Sequence, residues 1–246
     1  MESRKVALYL EKFDKYNLVL LFSTALLMLI FIPIAGSLDQ MLSLPWVNHS
    51  GYYLRENQFL VKFGHEFLKN LVIIIAMIHV VLWIKFIFQK SFSPLRSITG
   101  VVVIGMMISI SVIGIFKSQS VHACPWTLLR VHANHIDWLK SLHIHGKCFP
   151  GGHASAGFSL LILYFAYRPF YPKLARYGLI LALVMGSLMS TVQMVRGAHF
   201  LSHNLWSFWW SWLIDFMVYK VWQMFWPNYL KDISINKKFL RHGVNH

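Results

Sequence analysis

Acidic side chains are scarce in this chain. Nine Asp and Glu are spread over 246 residues, and neither a DxD nor a DxxD motif occurs. A carboxylate site for magnesium beside a phosphate substrate is therefore not expected. Charged residues of either sign make up 13%, about half the share usual in a soluble domain. Cysteine is limited to Cys124 and Cys148, and without a CxxC pair a zinc ribbon is excluded. Internal repeats and low-complexity tracts are absent as well. The net charge of +14 could mark a nucleic-acid binder. However, Lys and Arg sit mostly between apolar segments, with no basic stripe interleaved with exposed aromatics, so no nucleic-acid partner is expected.

What remains is apolar. Hydrophobic residues reach 57%, aromatics 16%, and mean hydropathy is +0.52. Such a surplus needs a solvent other than water, and ten Trp with ten Tyr fit interfacial belts. A helix needs roughly 20 apolar residues to cross a bilayer core. Six segments qualify, at about 17–36, 70–88, 98–116, 154–171, 177–196 and 200–222. The expected fold is all-α: a single membrane domain over 1–246, a bundle of six transmembrane helices with outer loops 37–69 and 117–153. In the first outer loop, Phe59, Leu60, Phe63 and Phe67 recur at helical spacing with Glu56, Lys62 and Glu66 between them. This predicts an amphipathic interfacial helix on the outer leaflet, either packing beside the bundle or guiding a headgroup. The N-terminal apolar run is longer than a signal-peptide core and follows charges of both signs, so it is expected to be retained. Thirteen Lys and Arg fall on the side of both termini, Lys90 and the basic tail from Lys231 among them. Eight fall on the other: Arg55, Lys62, Lys69, Lys117, Arg130, Lys140, Lys147 and Arg196. Positive-inside orientation then puts both termini in the cytoplasm.

Three short runs lie at the outer ends of these helices: Lys117 to Pro125, Pro150 to His153, and Arg196 to His203. Lysine, arginine, imidazoles and glycine N–H groups meeting at one interface suit a phosphate carried on a lipid. A phosphoryl group in transfer needs its oxygens neutralised. Lys117 and Arg196 supply charge, and Gly151 and Gly152 let backbone N–H groups approach at a helix start. With no acidic cluster for a metal, the reading is metal-free and cofactor-free: one imidazole attacks phosphorus, and His153 acts as general acid and base.

These motifs resemble the type 2 phosphatidic acid phosphatase superfamily, in its membrane-bound branch, over residues of about 98 to 222. The family's first motif is Lys-x6-Arg-Pro; here Lys117 and Pro125 match and Cys124 stands in the arginine's place. The second matches as Pro150, Gly151, Gly152, His153. The third is normally Ser-Arg-x5-His-x3-Asp. His199 aligns with its nucleophile, His203 with its aspartate, and Gln193 with its arginine, while Arg196 lies one helical turn nearer. The resemblance implies catalysis by His199 and His153, with His203, Asn204 or both orienting the nucleophile, and phosphate held by Lys117, Gly151, Gly152 and Arg196. Arg130 or Lys147 would replace the missing arginine. A second register makes His203 the nucleophile.

The expected activity is hydrolysis of a lipid phosphomonoester or pyrophosphate through a phosphohistidine. Undecaprenyl pyrophosphate is the first substrate considered, at the periplasmic face of a bacterial inner membrane. The alternatives are a lipid phosphotransferase of the same family and a degenerate, non-catalytic headgroup binder. Three further alternatives stay open. Cys124 and Cys148 flank one outer loop and form either a disulfide or two free thiols. His199 and His203, with His122, His132, His135, His143 and His145, leave a zinc site as a rival reading, although no spacing adds a third helical ligand. Lys85 and Asp215, at equal depth, form a buried pair or snorkel separately. His79 reads as a packed core residue. Oligomeric state is not legible.

Overall fold

The computed structural model describes residues 2–89, 94–132, 135–139, 146–226 and 232–233. Lys90, Lys140, His143, His145 and the tail basic residues Lys231, Lys237, Lys238 and Arg241 lie outside the described residues. The first helix, α1 (Glu2–Phe31), begins well before the apolar run, through the good helix formers around Ala7, Leu10 and Lys12. It stops just ahead of Pro33, whose ring disfavours helical geometry in the residue before it. A short helix α2 (Ser37–Ser43) follows, then a single 3₁₀ turn (Leu44–Trp46) and a two-stranded hairpin, β1 (Val47–Asn48) with β2 (Gly51–Tyr52).

The aromatic segment after this hairpin is not a separate interfacial helix. Leu60–Phe67 winds as a π-helix and runs directly into α3 (Leu68–Phe88), so that Leu60–Phe88 is one continuous apolar rod. Phe59, Phe63 and Phe67 stack along it, with ring centroids 5.4 and 5.6 Å apart. Gly64 brings the π-helical turn against Val192 of α8 (Pro172–Val195). That contact joins to the bundle a segment which amphipathicity alone would leave at the surface.

After α3 come α4 (Pro94–Ser118), the short α5 (Pro125–Leu128) and a second hairpin, β3 (Leu129–Val131) with β4 (Ile136–Trp138). Then follow α6 (Gly152–Phe158), α7 (Leu161–Tyr167), α8 and α9 (Leu201–Met224). Among the described residues, four helices are long and apolar enough to cross a membrane: Ala7–Phe31, Leu60–Phe88, Pro94–Ser118 and Pro172–Val195. The other two expected spans are helical but differ in kind. The 154–171 segment is broken into α6 and α7 at Ser159–Leu160. In α9, apolarity is diluted by Ser202, His203, Asn204, Ser207, Ser211, Asp215 and Lys220.

α6 and α7 form the interior of the bundle, with Ala154, Leu160 and Ile162 fully buried against Ile98, Val102, Met189 and Phe216. A Cβ on Gly157 would sit 2.6 Å from the Gly186 Cα, so α6 and α8 touch through backbone. On the outside, α1 and α3 expose Leu18, Val19, Phe22, Ile30, Ile74, Ile78 and Val81, as a multi-pass protein does towards lipid. α9 holds α1 by indole N–H groups, from Trp209 to the Leu21 carbonyl (2.9 Å) and from Trp212 to Asn17 Oδ1 (3.0 Å). Lys220 pairs with Asp14 beyond them. These two tryptophans tie helices together within the bundle.

Of the two readings left open for Lys85 and Asp215, the buried pair is not formed, and Asp215 does not snorkel either. Asp215 is fully buried, facing Ser109 of α4 and the Ile162 backbone of α7, whereas Lys85 lies exposed on α3. Equal depth in parallel helices does not bring two side chains together when they point from different faces. His79 is a core residue as expected: its Nδ1 lies 2.8 Å from the Ile75 carbonyl and its Nε2 3.2 Å from the Tyr167 hydroxyl.

Candidate functional site

Helix ends and loops far apart in sequence converge at one end of the bundle. Lys117 closes α4, Gly152 opens α6, and the 196–200 turn links α8 to α9. That turn needs Gly197, which has φ +75° and lies against the Tyr52 ring where a Cβ would collide at 2.5 Å. The Ala198 and His199 amides both return to the Gln193 carbonyl, at 2.9 and 3.2 Å, and point the His199 side chain inward.

His199 is 4% exposed and held at both ring nitrogens. Its Nδ1 lies 2.8 Å from the Cys148 carbonyl oxygen, which can only accept, so Nδ1 carries the proton. The Nε2 lone pair then faces Lys117 Nζ, 3.4 Å away. Burial pushes the ring's pKa well below the ordinary imidazole value; Lys117, His203 and His153 push the same way, against the pull of the Cys148 carbonyl. A neutral, oriented imidazole beside an ammonium is the arrangement a phosphorus nucleophile needs.

Cys148 is itself fixed. It is joined by a disulfide to Cys124, with Cα atoms 5.2 Å apart, and its amide donates to the His122 carbonyl at 3.0 Å. The disulfide thus stands where the resemblance places an arginine, and it anchors the carbonyl that orients His199.

Gly152 lies beside Lys117: a Cβ there would sit 3.4 Å from Lys117 Cδ and 3.7 Å from Nζ. The next residue, His153, is half-buried and near enough to His199 to lower its proton affinity. Lys117, Gly152, His153 and His199 are therefore brought together.

Other expected members are placed differently. The Gly151 amide donates to the His203 carbonyl at 3.2 Å, so it is not free to meet an anion. Asn204 packs beneath Gly151, where a Cβ would fall 2.5 Å from its Oδ1, and its Nδ2 is 3.4 Å from the Ser190 carbonyl; it does not orient His199. His203 does not orient it either. The two rings lie 5.8 Å apart between centroids, and both ring nitrogens of His203 are buried without a hydrogen bond. His203 packs instead among Phe149, Phe200 and His122. The orienting bond expected from an imidazole comes instead from backbone, the Cys148 carbonyl.

Arg196 and Arg130 belong to a separate basic group. Arg196 Nε donates to the Arg55 carbonyl at 3.0 Å, and Arg55 lies over the Trp126 ring at 4.6 Å. Arg130, whose Nη1 donates to the Leu129 carbonyl, lines an open pocket of about 350 Å³ with Arg55, His49 and Trp126. Lys147 is exposed.

Two residues escaped the sequence reading. Asp39 of α2 is 1% exposed and caps α9: Oδ1 accepts from the Ser202 amide (2.9 Å), while Oδ2 accepts from the Ser202 hydroxyl and from the Ala35 amide (2.9 Å). Burial raises its pKa more than these bonds lower it. Ser207 donates between the Gly151 (3.0 Å) and His203 (2.8 Å) carbonyls and locks the glycine loop onto α9. A lone Asp in a stretch expected to be an outer loop and a Ser within a helix carry no motif that would single them out.

A family model described as the PAP2 superfamily matches residues 98–227, a stretch that contains every residue of this cluster. No curated protein and no solved structure matches the chain significantly.

Proposed function

Because the chain belongs to the PAP2 superfamily, a family of phosphatases acting on phosphate esters, we propose that it hydrolyses a phosphomonoester or pyrophosphate carried on a membrane lipid, with His199 as nucleophile. One observation carries this reading: the Nδ1–H of His199 is bonded to the Cys148 carbonyl while its Nε2 lone pair faces Lys117 Nζ at 3.4 Å. Nε2 attacks phosphorus, a P–N bond forms, and the bond to the leaving oxygen breaks, with its electron pair going to that oxygen. His153 gives the leaving oxygen a proton, then takes one from water as water attacks phosphorus and the P–N bond breaks, its electron pair returning to His199 Nε2. Lys117 balances charge on the phosphoryl oxygens, and Gly152 keeps the approach beside it open.

The lipid substrate is favoured by the setting, since the cluster lies at the ends of α4, α8 and the rod Leu60–Phe88, all apolar enough to cross a membrane. Undecaprenyl pyrophosphate remains the first substrate to try. The Cys124–Cys148 disulfide in the loop framing the site favours an oxidising, extracytoplasmic face, which in a bacterium is the periplasm. The test is phosphate release by purified protein from a panel of lipid monophosphates and diphosphates, with EDTA present. Release that falls by several orders of magnitude in His199→Ala supports the proposal. Release indifferent to His199→Ala and His153→Ala, or abolished by EDTA, overturns it. Transfer of the label to an added lipid alcohol in place of water identifies the phosphotransferase alternative.

A further inference from the structure

The second hairpin carries chemistry that phosphate transfer does not use. Arg130 pairs with Asp137 and Val131 with Ile136 across β3 and β4, and the His132 amide donates to the His135 carbonyl at 2.9 Å. Side chains alternate along a strand, so His132, His135 and Asp137 share one face. Their donor atoms converge. His132 Nε2 is 3.4 Å and His135 Nε2 3.0 Å from the same oxygen, Asp137 Oδ2, and all three donors lie within 4.8 Å of one another. The two imidazoles are nearly parallel, with centroids 4.7 Å apart and planes at 17°, so both present Nε2 to the carboxylate.

We propose that His132, His135 and Asp137 form a binding site for one divalent metal ion of the zinc class, on the exposed face of the β3–β4 hairpin. Zinc binds imidazole nitrogen and carboxylate oxygen at about 2.0–2.2 Å. Two ligands of one tetrahedral ion then stand about 3.3–3.6 Å apart, close to the separations measured to Asp137. Two imidazoles with one carboxylate suit zinc and its neighbours rather than calcium or magnesium, which prefer oxygen. Arg130, opposite Asp137 and the obvious competitor for its carboxylate, instead donates to the Leu129 carbonyl and forms no ion pair with Asp137 among the described residues. The three side chains are 53, 62 and 55% exposed, so water can fill the remaining coordination positions and the ion can exchange with solvent. Bound there, the ion clamps a hairpin whose Trp138 packs on Phe200, the residue after His199. The site is independent of the phosphatase reading, because its three ligands are not members of the Lys117–His199 cluster.

The test is zinc titration of the full-length protein in detergent after dialysis against chelator, by calorimetry and by elemental analysis after desalting. The wild type should bind one equivalent more than His132→Ala/His135→Ala, and Asp137→Asn should weaken the same equivalent at least tenfold. The comparison between proteins is needed because His122, His153, His199 and His203 offer zinc other contacts. Equal stoichiometry in the wild type and the double variant overturns the proposal. Both variants change exposed side chains, and thermal unfolding in the same detergent provides a check that they are folded.

Discussion

Replacing Lys117 with methionine separates a charge that works on phosphate from one that merely caps a helix. Nζ lies 3.4 Å from His199 Nε2, so a phosphoryl oxygen on that nitrogen comes within about 4 Å of the ammonium. Unit charges at about 4 Å in an effective dielectric of about 20 interact by about 4 kcal/mol. Only the part that grows towards the transition state raises kcat, and the rest appears in KM. The expected loss in kcat/KM is therefore about 2–4 kcal/mol, or roughly 30- to 1000-fold. Stability should move the other way or not at all. Lys117 is half-buried and pairs with no carboxylate among the described residues, and methionine keeps most of its length while removing a charge that is costly to bury. The assays are steady-state phosphate release from a lipid phosphate and thermal unfolding in the same detergent, with Lys117→Arg as a charge-retaining control. Activity within about threefold of wild type in a folded Lys117→Met protein would refute the placement of phosphate between Lys117 and His199. A matching fall in melting temperature would make the residue structural.

The glycine pair should split. Gly151→Ala drives a Cβ to 2.5 Å from Asn204 Oδ1 and 3.3 Å from Ser207 Oγ and should cost most of the activity, whereas Gly152→Ala meets Lys117 Cδ at an ordinary 3.4 Å and should retain far more, as relative phosphate release will tell. Reducing the Cys124–Cys148 bond opens a loop with sequence separation 24. Chain entropy values that closure at about 3.5 kcal/mol, so a reductant should lower the melting temperature and slow phosphate release together, with no effect on Cys124→Ser/Cys148→Ser. The pH profile should follow His199, whose pKa burial holds well below 6.5. As pH falls from about 6.5, the unfolded chain takes up a proton that the folded one refuses, so stability declines through that window down to the folded value. The acid limb of kcat/KM should lie below 6.5 and move to higher pH in Lys117→Met, because removing a neighbouring cation eases protonation.

The cluster of Lys117, Gly152, His153 and His199 could be read in the chain because each member sits in a short run at the end of an apolar segment. Positions along a helix follow from periodicity, and helix ends follow from where apolarity stops. What could not be read was who holds whom. The bond that orients His199 comes from a carbonyl, and every residue has one, so no side-chain pattern announces Cys148. Arg196 looked like a phosphate ligand by its spacing to His199, yet the guanidinium turns to the Arg55 carbonyl because the first hairpin folds back over that turn. Likewise, the aromatic stripe from Phe59 to Phe67 has the period of a surface helix, and only the structure shows that it runs on into α3 and packs through Gly64 on Val192.

Composition alone decided that this chain needs lipid around it, since too few charges exist to cover an apolar surface of this size in water. Order along the chain decided which residue types reach the helix ends. The three-dimensional packing decided the tautomer of His199, the capping of α9 by Asp39 and the turn of Arg196 towards the Arg55 carbonyl. Those depend on contacts between residues 51 to 163 positions apart, and such contacts exist only after the bundle has closed.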